Sequence, residues 1–321
     1  MPERHTPTSQ SGVPVNSQAG APVSVWAVAQ APSRDQRRGR YLPEAMAHPA
    51  KMLPALARHA IEAFTAPGEL VLDPMCGIGT TLIEAAYAGR DAVGIEYEPR
   101  WAALAAAGLT HAAAGGAAGR GQVITGDART TATRLAGQYA GRISLLLTSP
   151  PYGRSLHGRV QAPGTSKVRK WNRAYSHDRA NLAHQPLQSL LGGFTDILTA
   201  CHPLLRPGGI LAITARPWRH HGLLTDFPSA VLHAATTAGY QPLQRCIALL
   251  AAVRDGHLVT RASFFQTHET RAARTNGHPL HLIAHEDVLI LRKPPTPASP
   301  AKPNPAGARS GRREDQPGRP T

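Results

Sequence analysis

From residue 47 onward the chain alternates two kinds of apolar spacing. HPAKMLPALARHAIEAF puts Met52, Leu53, Leu56, Ile61 and Phe64 near one helical face, and the turn APGE then leads into a short apolar run, LVLD, of buried-strand type. TTLIEAAYAG predicts a helix, DAVGIE a strand, EPRWAALAAAGLTHAAA a helix, QVITGD a strand, TATRLAGQY a helix and ISLLLTSPP a fourth strand. After an interval without periodicity the alternation resumes. PLQSLLGGFTDILTACHPLL predicts a helix, GILAITAR a strand behind the turn RPGG, and LLTDFPSAVLHAATTAG a helix. YQPLQRCIALLAAV and HEDVLILRK end the pattern as two strands close enough for a hairpin with a long loop. Such alternation predicts an α/β, Rossmann-like, seven-stranded, mostly parallel sheet with helices on both faces and one insertion after the fourth strand.

Composition sets the boundaries. Residues 1–40 and 294–321 are rich in Pro, Ser, Gly and Ala and poor in large apolar side chains, so a disordered basic N-terminal tail and a disordered Pro-rich C-terminal tail are expected around a domain at 41–293. The formal net charge is +15, which suits a polyanionic partner. Cys76, Cys201 and Cys246 form no CxxC pair, as expected of a reduced cytoplasmic protein. No apolar run is long enough to span a bilayer, and no membrane role is expected.

Chemistry concentrates where strands end. DPMCGIGTT, Asp73 to Thr81, joins the first strand to the next helix; Gly77 and Gly79 let a ligand approach the main chain, beside the free amides of a helix N-terminus. Glu96 closes the second strand and Asp127 the third, so three acids stand at the carboxyl ends of three successive strands around one crevice. A carboxylate at the end of the second strand suits a ribose diol, and its distance from Gly79 is near the roughly 20 residues of a nucleoside-binding unit. Either acid alone could instead cap the helix that follows it.

These residues resemble the class I S-adenosyl-L-methionine-dependent methyltransferases, over about residues 41–293, in the form used by amino-methyltransferases of nucleic acids. The resemblance assigns cofactor contacts to Lys51, Asp73, Pro74, Cys76, Gly77, Gly79, Thr80, Glu96 and Asp127. Asp73 and the glycines would line the methionine end, Glu96 the ribose and Asp127 the adenine amine. HPAK, His48 to Lys51, resembles the segment that closes over that cofactor. A dinucleotide oxidoreductase is disfavoured because the third glycine of GxGxxG is missing, position 82 being leucine.

TSPPYG, Thr148 to Gly153, follows the fourth strand, and its two prolines make a rigid exit. An exocyclic base amine is a poor nucleophile until acceptors hold its hydrogens. Ser149 and the Pro150 carbonyl can accept them, and Tyr152 can stack on an extruded base. SPPY, with Ser149, Pro150, Pro151 and Tyr152 as the catalytic set, resembles the tetrapeptide of cytosine N4-methyltransferases acting on DNA, of the DNA methylase N4/N6 family. Adenine N6-methylation of DNA and guanosine N2-methylation of transfer or ribosomal RNA are the alternatives, and DPMCGIGTTLIEAA resembles the latter enzymes too. Carbon-5 methylation is set aside because no Pro-Cys pair exists to supply its nucleophile. A nucleic-acid-binding protein that kept this fold without the activity is a further alternative, against which the intact Asp73, Glu96, Asp127 and Ser149 speak. The recognition sequence and any partner restriction endonuclease are not written in the chain.

Residues 153–184 hold seven Arg or Lys and one Asp. Arg154, Arg159, Lys167, Arg169, Lys170 and Arg173 are expected to neutralise phosphates, with Trp171 and Tyr175 stacking on unpaired bases. His278, His281 and His285 have a spacing that can suggest a metal, but no cysteine or acid completes a ligand set and none is expected; His285 is placed at the start of the last strand.

Overall fold

The computed structural model describes residues 21–152, 159–161, 169–171, 176, 178, 180–220, 223–262 and 264–295. The chain runs β1 (Val25–Trp26), α1 (Ser33–Arg37), α2 (Pro54–Phe64), β2 (Leu70–Asp73), α3 (Thr80–Tyr87), β3 (Asp91–Glu96), α4 (Pro99–Ala114), β4 (Gly121–Thr125), α5 (Ala128–Tyr139) and β5 (Ile143–Thr148). The short strands β6 (Arg159–Gln161) and β7 (Arg169–Trp171) come next, then α6 (Leu187–Cys201), β8 (Leu205–Ala215), β9 (Trp218–His220), β10 (Leu223–Thr225) and α7 (Phe227–Thr237). The last elements are β11 (Gln241–Leu249), β12 (Ala251–Arg254), β13 (His257–Thr260), α8 (Phe264–Thr275) and β14 (His285–Arg292).

The main sheet has the order β1-β11-β14-β8-β5-β2-β3-β4 and is parallel except at β14, which runs against both neighbours. Its central strands are near-continuous apolar runs because both faces are covered: all six residues of ISLLLT in β5 are buried. One face packs Phe194, Leu198, Phe227 and Val231 against Leu146, Ile213 and Leu289. The other packs Leu56, Ile61, Leu82 and Ile83 against Val71, Leu145 and Leu147. The β11–β14 hairpin expected from the sequence is present, with Gln241 opposite Arg292 and Leu249 opposite His285.

Two expectations are corrected here. The main sheet has eight strands rather than seven, because β1 adds to the β11 edge, Val25 opposite Ile247. The disordered tail set at 1–40 overlaps folded structure from Val25: Trp26 is buried beside His59, ring centroids 4.3 Å apart, and the buried Arg37 donates to the Met52 carbonyl. Pro43 starts a 3-10 turn and Pro54 takes the first position of α2, so the helix begins later than its apolar spacing alone suggested. Among the described residues no helix is long and apolar enough to cross a membrane.

Candidate active site

Since β4, β3, β2, β5 and β8 all run the same way, their carboxyl ends lie along one edge of the sheet, and β14 begins at that edge. A cavity of about 200 Å³ follows this edge from Asp127 past Glu96, Asp73 and Ser149 to Thr214 and Glu286. It therefore has a β3–β4 end and a β8–β14 end, with the turns after β2 and β5 between them.

Asp73 closes β2 and is almost wholly buried. Its Oδ1 accepts from Met75 N at 3.1 Å and from Thr148 Oγ1 at 2.9 Å, and its Oδ2 from Thr81 Oγ1 at 2.7 Å. Burial still pushes its pKa up to about 6, against the opposing effect of these donors. Glu96, also buried, clamps the glycine turn: Oε2 accepts from Gly77 N at 2.7 Å and Oε1 from Glu98 N at 2.9 Å. It holds this turn by hydrogen bonds rather than capping α4 with its side chain.

The glycines have different reasons. Gly77 has φ +55°, and a Cβ there would stand 3.2 Å from His48 Nε2. Gly79 has φ +78°, and its Cβ would stand 3.1 Å from Ala105 Cβ of α4. Gly79 is absent from the cavity wall, unlike Gly77, Ile78 and Thr80. Gly79 is required in any case by its left-handed backbone and close packing on α4.

His48 lies under the turn, its ring edge-on to Trp101 with centroids 4.6 Å apart. Burial first, and then the Lys51 charge, lower its pKa to about 3, so the imidazole is neutral. Lys51 turns its ammonium to the carbonyls of Met46 and His48 and lines the cavity, as do Pro74 and Cys76. Burial raises the Cys76 thiol well above its ordinary value, which keeps it protonated and unreactive.

Asp127 caps α5 through Arg129 N and is gripped by the Arg129 guanidinium, whose Nε lies 3.0 Å from both carboxylate oxygens. This acid thus caps α5 and also lines the cavity. Past Thr148, Ser149 is half-buried, Pro150 buried, and Pro151 and Tyr152 half-buried, all four in the cavity wall. The Tyr152 ring meets Trp218 edge-on at 5.9 Å and Phe227 at 5.5 Å, so an aromatic cluster fixes its plane. Beyond it, Arg216 Nη2 pairs with Glu286 Oε1 at 2.9 Å.

Spacing did not reveal Thr81, Thr148, Arg129, Asn181 and Glu286. Thr148 and Thr81 stand in motifs already singled out, and a polar residue closing the apolar run ISLLL was the available signal. Asn181 and Glu286 reach the cavity only through the tertiary fold; Asn181 Nδ2 donates to Glu98 Oε1 at 3.1 Å. Of the basic interval, Arg159, Arg169, Lys170 and Trp171 fall in the antiparallel pair β6–β7, with Arg159 opposite Trp171. Arg154, Lys167, Arg173 and Tyr175 lie outside the described residues. Among the described residues no group of three metal-ligating side chains exists, and His285 opens β14.

The residues fit a nucleoside cofactor with a charged tail. The buried Thr80 hydroxyl at the N-terminus of α3 has no hydrogen-bond partner among the described residues and lies in the cavity wall, beside the main chain of the glycine turn.

The DNA methylase family of N6/N4 type matches residues 3–107, which include the glycine turn and Glu96. No curated protein matches. Among solved structures, TrmN from Thermus thermophilus is similar at 19% identity and TM-score 0.46, over 80% of this chain and 53% of its own. The chain thus spans about half the length of that protein. A TehB-like SAM-dependent methyltransferase from Corynebacterium glutamicum is similar at 12% identity and TM-score 0.39, over 74% of this chain and 86% of its own. The 1,6-didemethyltoxoflavin-N1-methyltransferase of Burkholderia thailandensis, solved with S-adenosylhomocysteine, is similar at 16% identity and TM-score 0.39, over 75% of this chain and 78% of its own.

Proposed function

We infer, for a chain that matches the DNA methylase family over its first third and carries a mostly parallel α/β sheet, that it moves a methyl group from S-adenosylmethionine to an exocyclic amine of a nucleic-acid base. Cytosine N4 in DNA is the base we favour. One observation carries the reading: the acids suited to a nucleoside cofactor and the Ser-Pro-Pro-Tyr turn open on one cavity and are joined by the Thr148–Asp73 bond.

The cofactor supplies an electrophilic methyl group. Glu96 and Asp127 would hold its nucleoside end, and the turn 74–77 with Thr80 its amino-acid end. Ser149 Oγ and the Pro150 carbonyl accept the amine hydrogens, so that the nitrogen lone pair leaves conjugation with the ring and faces the donor. Tyr152, its plane fixed by Trp218 and Phe227, offers a stacking wall for the base. The proton lost from the methylated nitrogen passes to solvent.

Glu286 favours a second reading. A carboxylate in the β8–β14 end of the cavity, paired with Arg216, is an acceptor, and the guanine edge presents adjacent N1–H and N2–H donors to such a group. Methyl transfer from labelled cofactor to DNA and to RNA, followed by mass spectrometry of the nucleosides, tests both. N4-methylcytosine in DNA is expected; N2-methylguanosine in RNA would promote the second reading, and no transfer to either would end both.

A further inference from the structure

We propose that the excursion between β11 and β14, residues 250–284, is a second docking surface for the substrate, contacting the backbone of double-stranded DNA beside the target base. The proposal rests on the nucleic-acid reading above and extends it to a region that reading does not use.

Position comes first. Strand β11 runs against β14, and β14 against β8, so β11 ends at the same sheet edge as β5 and β8. The whole excursion therefore leaves and re-enters at the edge that carries the cavity, next to Glu286. Arg219 of β9 ties it to the shorter excursion there, donating to the His281 carbonyl at 3.4 Å.

Its build is that of a surface awaiting a partner. The hairpin β12–β13 leaves all of β13 exposed, Leu258 at 58%, and Val253 of β12 at 45%. Helix α8 has no buried side chain among those described. A solvent-facing helix side that carries positive charge is suited to a polyanion. His268, Arg271 and Arg274 recur at intervals of three, on one side of α8, and all are exposed. Among the described residues neither arginine has an ion-pair partner.

Charge names the occupant. Residues 250–284 contain four Arg, four His and only two acids. A duplex entering the site beside Glu286 would meet this cationic surface at the β8–β14 end of the cavity. The exposed aliphatic side chains of the hairpin suit sugars and base methyl groups.

The test uses the full chain with R271E/R274E and, as a milder pair, R271Q/R274Q. Binding of a fluorescent duplex is followed from low to moderate salt, with cofactor binding measured in parallel. Each lost phosphate contact lowers the slope of log affinity against log salt by about 0.9, so both pairs should flatten it by roughly two units and the Glu pair should weaken binding at least ~10-fold. Cofactor affinity and transfer to a short single-stranded oligonucleotide should be unchanged. Wild-type slope and affinity in both pairs would overturn the surface. A wild-type protein that binds no nucleic acid would instead overturn the function it rests on, and salt-dependent binding confined to RNA would overturn its assignment to DNA.

Discussion

Thr148 Oγ1 donates to Asp73 Oδ1 at 2.9 Å, and this buried bond joins the last residue of β5 to the last residue of β2. Each residue directly precedes a turn that lines the cavity, Pro74 to Gly79 on one side and Ser149 to Tyr152 on the other. Thr148→Val keeps the shape and removes the donor, leaving Oδ1 with Met75 N alone. A buried acceptor that loses a partner costs about 1–3 kcal/mol. We expect a loss of that size in urea unfolding, weaker cofactor binding, and recovery of both by Thr148→Ser. Unchanged unfolding and calorimetric binding in the valine variant would remove the coupling role.

In the proposed function Ser149 acts by accepting a hydrogen bond from the base amine in the transition state. Ser149→Ala should lower turnover by roughly 10²–10³-fold, the usual effect of deleting one such group, with cofactor affinity intact. Tyr152→Phe keeps the ring against Trp218 and Phe227 and should be mild, whereas Tyr152→Ala opens the aromatic cluster and should cost both KM and about 3–5 kcal/mol of stability. Steady-state kinetics beside thermal unfolding separates the outcomes; an alanine variant with normal KM would show that this ring does not hold the base.

What the sequence made legible was whatever two neighbouring elements decide between them. Asp73, Glu96 and Asp127 could be placed at strand ends because strand and helix periods change there, and SPPY because two prolines cannot continue a strand. Longer-range matters stayed hidden. Trp26 sits in a stretch of tail-like composition, and distant partners such as His59, Phe64 and the β11 edge make it core. Glu286 was read as part of a strand start, and its place in the cavity depends on β14 running antiparallel to β8. Gly79 shows the same limit: the motif marked it as a turn glycine, and only the tertiary fold reveals that a Cβ there would stand 3.1 Å from Ala105 Cβ of α4.

The two glycines should therefore fail differently. Gly79→Ala forces a side chain onto a left-handed position against α4 and should lower stability by about 1–3 kcal/mol, with cofactor affinity following only as the fold loosens. Gly77→Ala presses on His48, which lies beside the cavity, and should weaken cofactor binding at a temperature where the chain is still folded. Calorimetric titration of both variants well below their melting points distinguishes them; equal affinities for the two would contradict this division of roles.

Two buried groups give stability opposite pH trends. Asp73 has a folded pKa of about 6 against an ordinary 3.8, so its contribution is present at low pH and lost as pH rises from about 4 to about 6. His48 has a folded pKa of about 3 against 6.5, so its contribution is present above about 6.5 and lost as pH falls towards 3. Between about 4 and 6 the two partly cancel, and below 4 His48 alone continues to act. His48→Asn keeps an acceptor for Ala50 N, which lies 3.2 Å from His48 Nδ1, and removes the titration. Its melting temperature relative to wild type should therefore climb as pH is lowered from 7 to 4, and that of Asp73→Asn should climb as pH is raised from 4 to 6. If the His48→Asn difference is flat across its window, the imidazole is not being held neutral by burial beneath the glycine turn.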